Sequence, residues 1–477
     1  MKTAVKQRLP ASQTPPNNIP FPVRRQQRAW WRTGFGMGFA MQAHLQQWLA
    51  GLLTLSFGGI LLLLPVHAFF STWLGTAIGP LLLWKSWKEI LLLLLLPLVV
   101  LVCVGRPRIA KVIWARRINQ LIVLYVLLHA VLAFVSHVAL AAMAAGLLMN
   151  LRFLAMFVLA QVLVEVNHPW IRKIISLIPR GLLWIAVGLG CLAILQVTIV
   201  PKDFLSYFGY NKDSTIAPYI VVDQNPMALR AFATMRGPNT LAAYLVLPLV
   251  LAVCFIFMRR DLWLSVAVLA LGGIAFFATG SRSAWLGLAF GLLALAIMAV
   301  PQTRLVRWVK WSIIPVLLIG AVLGWAALTV APVRLAVFHS RADRPSLFTG
   351  SSQKHVEAII DNAADALRHP LGQGPGAAGP ASFYNPAGAK ISENYFIQIA
   401  QEVGLVGLGL FVSINLLIAR QFYRHRTGLM PKILLASLAG LTIVNLFLHG
   451  WADDPTAMTW WGIAGLYWGK GDSEIDE

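Results

Sequence analysis

Long, uninterrupted apolar runs separated by short polar segments make up most of the 477-residue chain. A helix needs about 20 consecutive apolar residues to cross the hydrocarbon core of a bilayer. The runs are continuous and lack the alternating pattern of membrane β-strands, so a β-barrel is excluded. We predict about twelve membrane-spanning helices, near 49–72, 87–104, 119–136, 138–164, 181–200, 240–258, 262–279, 283–300, 309–330, 397–419, 432–449 and 456–470. The expected fold is an all-α integral membrane protein.

Composition supports the same class. Hydrophobic residues make up 58% of the chain and charged residues only 12%, and the mean hydropathy is +0.71. Because a soluble chain carries about a quarter charged residues, a soluble protein is excluded. The net charge of +21 would indicate nucleic acid if it lay on a soluble domain. Here the basic residues lie in the tail and in loops between apolar runs, so we expect membrane lipids and no nucleic acid as partners.

The distribution of Lys and Arg predicts the orientation of the spans. Seven basic residues lie in the first 32 residues, and the loops that follow even-numbered spans are also basic. The positive-inside rule therefore places both termini in the cytoplasm. No apolar segment with a cleavage site follows the tail closely, so we expect the tail to be retained.

Two segments on the predicted outer side are too long to be simple turns, namely 201–239 and 331–392. Loops of that length are usually functional or disordered. Apolar residues recur at helical spacing in the second segment, at Val356, Ile359, Ile360, Ala363 and Leu367. Ser351 or Ser352 would cap this helix, and His369-Pro370 would end it. We predict an amphipathic helix that lies against the outer surface of the bundle.

A charge inside an apolar run needs an explanation, and the fourth predicted span contains Asn150 and Arg152. We interpret Arg152 as a side chain that snorkels near a break in the helix; a functional contact is the alternative. The three cysteines lie within apolar runs at spacings that suit neither a disulfide framework nor a metal site. We expect no metal and no cofactor.

Polar residues that could bind a ligand or take part in catalysis lie in four clusters on the predicted outer side. They comprise 230–239, 279–283, the Gly-rich loop 370–376 together with 392–398, and 451–455. A guanidinium offers a planar fork of donors that suits phosphate oxygens, so Arg230, Arg236 and Arg282 are candidates for binding a diphosphate. They could instead be interfacial anchors. The Gly-rich loop could bring backbone N–H groups close to the same anion.

Further candidates lie at two helix starts. Glu393 lies between a polar loop and an apolar helix, where a carboxylate can act as a general base toward a hydroxyl; it could equally be an acid favoured by the helix dipole. Asn394 and Gln398 share one helix face and could bind a sugar or a neighbouring helix. Asp453 and Asp454 precede the last span and could bind the glycan or be solvated turn residues.

In order and spacing, these clusters resemble the O-antigen ligase and polymerase superfamily of bacterial membrane polysaccharide enzymes. The resembling stretches run from Arg230 to Asn239 and on through Leu-Ala-Ala-Tyr, and include Thr-Gly-Ser-Arg282, Pro-Leu-Gly-Gln-Gly-Pro-Gly376, and the run from Glu393-Asn to Glu-Val-Gly-Leu-Val-Gly407. Three positions depart from the pattern. Glu393 replaces the family histidine, Ala233 replaces a glycine near the additional Arg236, and Lys354-His355 replace an arginine.

The resemblance implies a membrane glycosyltransferase with a fold similar to the GT-C class. It implies transfer of a glycan from undecaprenyl diphosphate to a hydroxyl of a glycan or lipid-glycan acceptor, at the outer face of the bacterial cytoplasmic (inner) membrane, in surface polysaccharide biosynthesis. By position, Arg230 and Arg282 would bind the diphosphate, with Arg236, Lys354 and His355 as further phosphate ligands. Asp453 or Asp454 would match an acidic residue that precedes the last span.

These inferences divide the chain into a basic cytoplasmic tail (1–48), N-terminal membrane helices (49–200), an O-antigen ligase-like membrane domain (201–470) with an outward loop at 331–395, and a cytoplasmic end (471–477). Ligation and polymerisation of repeat units both fit the motifs. A transporter is an alternative from another class, but transporters need ionisable or broken-helix sites near the midplane, and the clear charge within a span is Arg152. A scaffold without activity is the third possibility, because the usual histidine is missing.

Overall fold

The computed structural model describes the backbone of residues 24–221, 228–299, 351–386 and 388–468, and the side chains of these ranges apart from 24–43 and 351–356. The chain divides into two compact units, Met1–Leu49 and Ala50–Glu477. Within the described ranges the structure is helical, and the only β-pairing is a bridge between Val221 and Leu229. The all-α prediction is confirmed for these ranges.

The helices of the first part of the chain are α1 (Arg24–Leu63), α2 (His67–Ala77), α3 (Leu81–Gly105), α4 (Pro107–Ala115), α5 (Arg117–Val135), α6 (Leu140–Val166) and α7 (Pro169–Thr198). Those of the second part are α8 (Pro238–Phe257), α9 (Leu262–Ala267), α10 (Gly273–Ala278), α11 (Arg282–Ala299), α12 (Ser351–Arg368), α13 (Tyr395–Arg424), α14 (Leu429–Asn445) and α15 (Asp454–Tyr467). A π-helical turn, Val268–Gly272, joins α9 to α10.

Among the described residues, eight helical segments are long and apolar enough to cross a membrane, and two further apolar helices are shorter. The predicted spans coincide with helical segments, except for 309–330, which lies outside the described residues. The described part of the chain therefore supports a multi-pass membrane protein. The number of crossings and their orientation remain predictions.

Small residues allow the helices to pack closely, as is usual in membrane proteins. Gly287 of α11 faces Gly440 of α14, and a methyl group added to Gly287 would lie 2.7 Å from the Gly440 carbonyl oxygen. The same rule applies where α15 crosses α6, because Gly465 lies against the backbone of Phe157. Most residues of helix α8 are buried among the other described helices.

Helix breaks position the functional residues. A 3₁₀ turn at Leu64–Val66 separates α1 from α2 at Pro65, where proline removes a backbone donor. Helix α13 is kinked at Val403 and Gly404, and Gly404 has a φ of +73° that glycine adopts without steric cost. Each break lets polar groups from another segment approach the helix.

The predicted amphipathic helix is present as α12, but its polar face contacts the bundle. The Gln401 side chain of α13 donates to Asn362 Oδ1 at 3.0 Å and to Asp365 Oδ2 at 2.6 Å. Ile360 and Leu367 of the predicted apolar stripe are 61% and 68% exposed. The predicted stripe is thus not the packing face at these two positions, because the polar groups of α12 have their hydrogen-bond partners on α13 and in the loop after α12.

Asp365 is the centre of this contact. Lys390 Nζ lies 2.9 Å from Asp365 Oδ2, and Gln373 also donates to that oxygen. Partial burial raises the pKa of Asp365, but the hydrogen bonds from Lys390, Gln401 and Gln373 outweigh burial and bring the pKa to about 2. Since this value is below that of an unfolded aspartate, the contact is fully stabilising above about pH 4 and is lost as the pH falls through about 2.

Candidate functional site

The structure brings two of the predicted clusters together. Arg230 Nε donates to the carbonyl oxygen of Thr279 at 2.6 Å, and its Nη2 donates to Asn239 Oδ1 at 2.9 Å. The Arg230 side chain therefore lies over the turn 279–282, where Gly280 has a φ of +63°. Arg282 is the first residue of α11 at the same turn. The side chain of Arg230 therefore lies at the turn from which Arg282 begins α11, although the two residues come from separate segments.

Hydrogen bonds to two other segments hold the loop that carries Arg230. Gln196 Oε1 of α7 accepts hydrogen bonds from the backbone N–H groups of Phe232 and Ala233, both at 2.9 Å. Thr234 Oγ1 donates to the carbonyl oxygen of Pro65 at 2.7 Å. The loop is thus held between α7 and the break that follows α1.

Arg236 is exposed, and its positive charge acts on Lys85 of α3. Two contacts explain why these residues are close. Thr234, two residues before Arg236, donates to the Pro65 carbonyl oxygen. His67, two residues after Pro65, contacts Lys88, which lies one helical turn from Lys85. Lys85 is thus a basic residue near Arg236 that the sequence analysis did not single out.

A network of buried charged side chains links α3, α6 and the start of α15. Arg152 Nη1 lies 2.6 Å from Glu89 Oε1, and Arg152 Nη2 lies 2.9 Å from Asp454 Oδ1. Lys88 Nζ bridges the same two acids, at 3.1 Å from Glu89 and 2.7 Å from Asp454. Two cations and two anions therefore balance. The interpretation of Arg152 as a snorkelling side chain is wrong, because its guanidinium is buried and also donates to the Ala452 carbonyl oxygen.

His67 completes the network without being a free base. Trp87 Nε1 donates to His67 Nδ1 at 2.8 Å, and Lys88 Nζ lies 3.0 Å from His67 Nε2. Nε2 lies 3.3 Å from Asp454 Oδ2 and points toward it. Both ring nitrogens are therefore engaged with protein groups in this arrangement.

The two predicted acidic glycan ligands have protein partners. Asp454 accepts from Lys88, Arg152 and His67, as described above, and Asp453 Oδ2 accepts from Thr240 Oγ1 at 2.9 Å. The interpretation of Asp454 as a solvated turn residue is wrong, since it is part of the buried charge network. Glycan binding by either residue remains a prediction.

The start of α13 holds the predicted base. Glu393 is half-buried and has a φ of +52°, a left-handed conformation that costs a residue with a side chain about 1–2 kcal/mol. Asn394 caps the helix, because its Oδ1 accepts from the Ile397 N–H at 3.0 Å and its Nδ2 donates to the Leu446 carbonyl oxygen at 2.9 Å. Residues in strained conformations are often functional, so this geometry motivates the hypothesis that Glu393 reacts.

Gln398 lies in the interior, packed against Gly379. A glycan could therefore contact Gln398 only if the segment around Gly379 moved away. Lys354 and His355 lie in α12, but their side chains lie outside the described residues. Within the parts of the chain that the structure describes, no group of His, Cys, Asp and Glu side chains is arranged to hold a metal ion.

The Gly-rich loop passes between two membrane helices. Gly372, Gly374 and Gly376 all have positive φ, and a methyl group on Gly372 would lie 2.6 Å from the backbone nitrogen of Gly404. The N–H of Gly376 donates to Glu402 Oε1 at 2.9 Å. This N–H thus binds an anion, as expected of the loop, but the anion is a buried carboxylate of the protein itself.

Residues 265–412 match the family model described as O-antigen ligase. This match supports membership of the O-antigen ligase superfamily. The matched segment covers about a third of the chain and includes Arg282, the Gly-rich loop, Glu393 and Glu402. No curated protein gives a significant match. The resemblance in the sequence is confirmed, and the family indicates a ligase- or polymerase-like membrane glycan enzyme of the glycosyltransferase type, with lipid-linked glycans as substrates.

Part of the candidate site lies outside the matched segment. Arg230 and the buried network of Lys88, Glu89, Arg152 and Asp454 all do so. Sequence reasoning missed Lys88 and Glu89 because they lie at the edge of the second predicted span, where charges are common. The available signal was the adjacent acid and base at the start of an apolar helix, together with Arg152 in another.

Ala233 occupies a backbone conformation that suits glycine, the residue of the family pattern that this segment resembles. Its φ is +49°, in the left-handed region, and it is buried. We expect Ala233→Gly to stabilise the protein by up to about 1 kcal/mol, because glycine removes the steric cost of this conformation. Chemical unfolding of the detergent-solubilised protein measures the difference.

The matched control for this substitution is Ala231→Gly, two residues earlier in the same loop. Ala231 is also buried, but its φ is not positive, and its N–H donates to the Ala278 carbonyl oxygen at 3.0 Å. Glycine at this position adds chain entropy to the unfolded state and removes a packed methyl group, so it should destabilise the fold. Equal destabilisation by both substitutions would contradict the strain at Ala233.

Proposed function

We propose that the protein transfers a glycan from undecaprenyl diphosphate to an acceptor hydroxyl at the outer face of the cytoplasmic membrane. The observation that carries the proposal is the hydrogen bond from Arg230 to the Thr279 carbonyl oxygen, which places the Arg230 side chain at the turn that ends at Arg282. Arg230 and Arg282, which lie in separate motifs, are thus both found at this turn. A guanidinium suits phosphate because its planar fork of N–H donors can form paired hydrogen bonds with two oxygens of the tetrahedral phosphate group.

The proposed chemistry needs no metal at the leaving group. Arg230 and Arg282, with Arg236 as a further phosphate ligand, would stabilise the negative charge that develops on the diphosphate as it leaves. Glu393 would accept the proton of the acceptor hydroxyl. The hydroxyl oxygen then forms a bond to the anomeric carbon of the glycan, and the bond from that carbon to the diphosphate oxygen breaks. The lipid diphosphate departs with the electron pair.

Asn394 and Gln398 would act in this scheme mainly through their neighbours. Asn394 caps α13 beside Glu393 and ties it to the end of α14 through the Leu446 carbonyl oxygen. Asp453, which accepts from Thr240 on α8, ties the turn before α15 to the helix that follows the Arg230 loop. These contacts support a site whose walls come from several helices.

Transport is less well supported, although one argument against it no longer holds. Arg152 is not the only charge in a span, since Lys88, Glu89 and Glu402 are also buried. Lys88, Glu89 and Arg152 are held in the network with Asp454, however, and the charges of that network balance. The family match favours glycan transfer over transport.

The test is to profile lipid-linked intermediates after deletion of the gene. Complete polymers that accumulate on undecaprenyl diphosphate would support ligation, whereas single repeat units that accumulate would support polymerisation. Complementation with the wild-type chain must restore the normal profile. An unchanged profile of lipid-linked glycans, with normal surface polysaccharide, would refute the proposed function.

A further inference from the structure

Glu402 is a carboxylate buried completely inside the membrane helix bundle, one residue before the kink in α13. Burial of an ionisable group among apolar helices is costly, so such residues are retained where they have a role. The role predicted for the site so far does not include Glu402. Its contacts show which segments it joins.

One carboxylate oxygen of Glu402 holds the Gly-rich loop. Oε1 accepts from the Gly376 N–H at 2.9 Å, and the backbone N–H of Ala378 also reaches the carboxylate. The main chain continues the attachment: the Gly374 N–H donates to the Glu402 carbonyl oxygen at 2.9 Å, and the Leu405 N–H donates to the Pro370 carbonyl oxygen at 2.8 Å. The kink in α13 exposes these backbone groups to the loop.

The other oxygen connects to the start of α13. Asn150 Nδ2 of α6 donates to Glu402 Oε2. The Tyr395 hydroxyl lies 3.5 Å from Asn150 Oδ1, a long contact between two fully buried side chains. Tyr395 is the first residue of α13 and lies two positions after Glu393, and its N–H donates to the Leu448 carbonyl oxygen at 3.2 Å. The chain of contacts thus runs from Glu402 to the strained turn that holds Glu393.

We propose that Glu402 is a positioning residue, which fastens the Gly-rich loop and, through Asn150 and Tyr395, the start of α13, and so holds Glu393 in place for catalysis. The proposal rests on the proposed glycan transfer. It assigns one purpose to two motifs that lie apart in the sequence, since the Gly-rich loop and Glu402 form a single attachment around the kink.

The decisive variant is Glu402→Gln. A carboxylate accepts at both oxygens, whereas an amide has one accepting oxygen and one donating nitrogen. Gly376 and Asn150 both donate to the carboxylate of Glu402. The amide nitrogen of the glutamine variant is itself a donor, so it would lie against one of these two donors and leave that hydrogen bond unmade. We expect the amides of residues 372–378 to exchange with deuterium at least tenfold faster than in the wild type, as measured by mass spectrometry on the purified protein.

Kinetics separate positioning from a purely structural role. With a lipid-linked glycan donor in proteoliposomes, Glu402→Gln should lower kcat at least tenfold and leave KM for the donor within about twofold, because the arginines proposed to bind the diphosphate do not contact Glu402. Glu402→Asp keeps both accepting oxygens and should recover part of kcat. Asp361→Asn, on the exposed face of α12, is the control and should change neither exchange nor kcat.

A milder variant keeps the test valid if Glu402→Gln does not fold. Tyr395→Phe removes only the hydroxyl that reaches Asn150, so it should lower kcat and speed exchange at residues 395–398 while residues 372–378 stay protected. Wild-type exchange in Glu402→Gln would overturn the attachment, and faster exchange with unchanged kcat would overturn the positioning role. Exchange is measured without substrate, so a failure of glycan transfer itself would be recognised separately.

Discussion

Glu393→Ala is expected to lower glycan transfer by about 10²–10⁴-fold, the usual contribution of a general base, while the protein accumulates normally in the membrane. The carboxylate is the proposed proton acceptor, and it lies at the histidine position of the motif that this segment resembles. Transfer is measured with lipid-linked glycan donor in proteoliposomes, and surface polysaccharide is measured in cells. Normal surface polysaccharide in this variant would contradict the assignment of Glu393 as the general base.

Two further variants at the same position separate chemistry from folding. Glu393→Gly suits the φ of +52° better than any other residue, so it should fold at least as stably as the wild type and still be inactive. Glu393→His introduces the family residue and should restore part of the activity. An inactive Glu393→His protein together with a fully active Glu393→Gly protein would show that the position has no proton-transfer role.

Arg152→Leu is expected to destabilise the protein by about 3–5 kcal/mol, the range found when one partner of a buried ion pair is removed. Arg152 contacts Glu89 at 2.6 Å and Asp454 at 2.9 Å, and both acids would then share the single charge of Lys88. Unfolding of the detergent-solubilised protein, monitored by circular dichroism against denaturant, measures the loss.

The matched control is Arg180→Leu. Arg180 pairs with Asp261 at 3.1 Å on the exposed surface, where ion pairs contribute little because water and salt screen them. High salt should weaken the Arg180 pair further and leave the buried network almost unaffected. Equal losses of stability in the two variants would contradict the view that Arg152 belongs to a dehydrated network.

The sequence could propose candidate site residues where they lie in short polar segments next to apolar runs. Arg230 and Arg282 were identified because each lies in a short polar segment next to an apolar run, and the structure brings Arg230 to the turn at Arg282. Ala233 was recognised as a departure from the family pattern, and its left-handed backbone gives the physical reason for that pattern.

The amino-acid sequence by itself determined the all-helical membrane class and the positions of nearly every described helix, because run length and apolar periodicity are local properties. The tertiary structure alone decided which polar groups meet. Arg152 and its two acids are 63 and 302 residues apart in the chain, and the Gly376 N–H is 26 residues from its acceptor Glu402. Burial requires each charge to find a partner, but only the packing of the helices determines which partner is within reach.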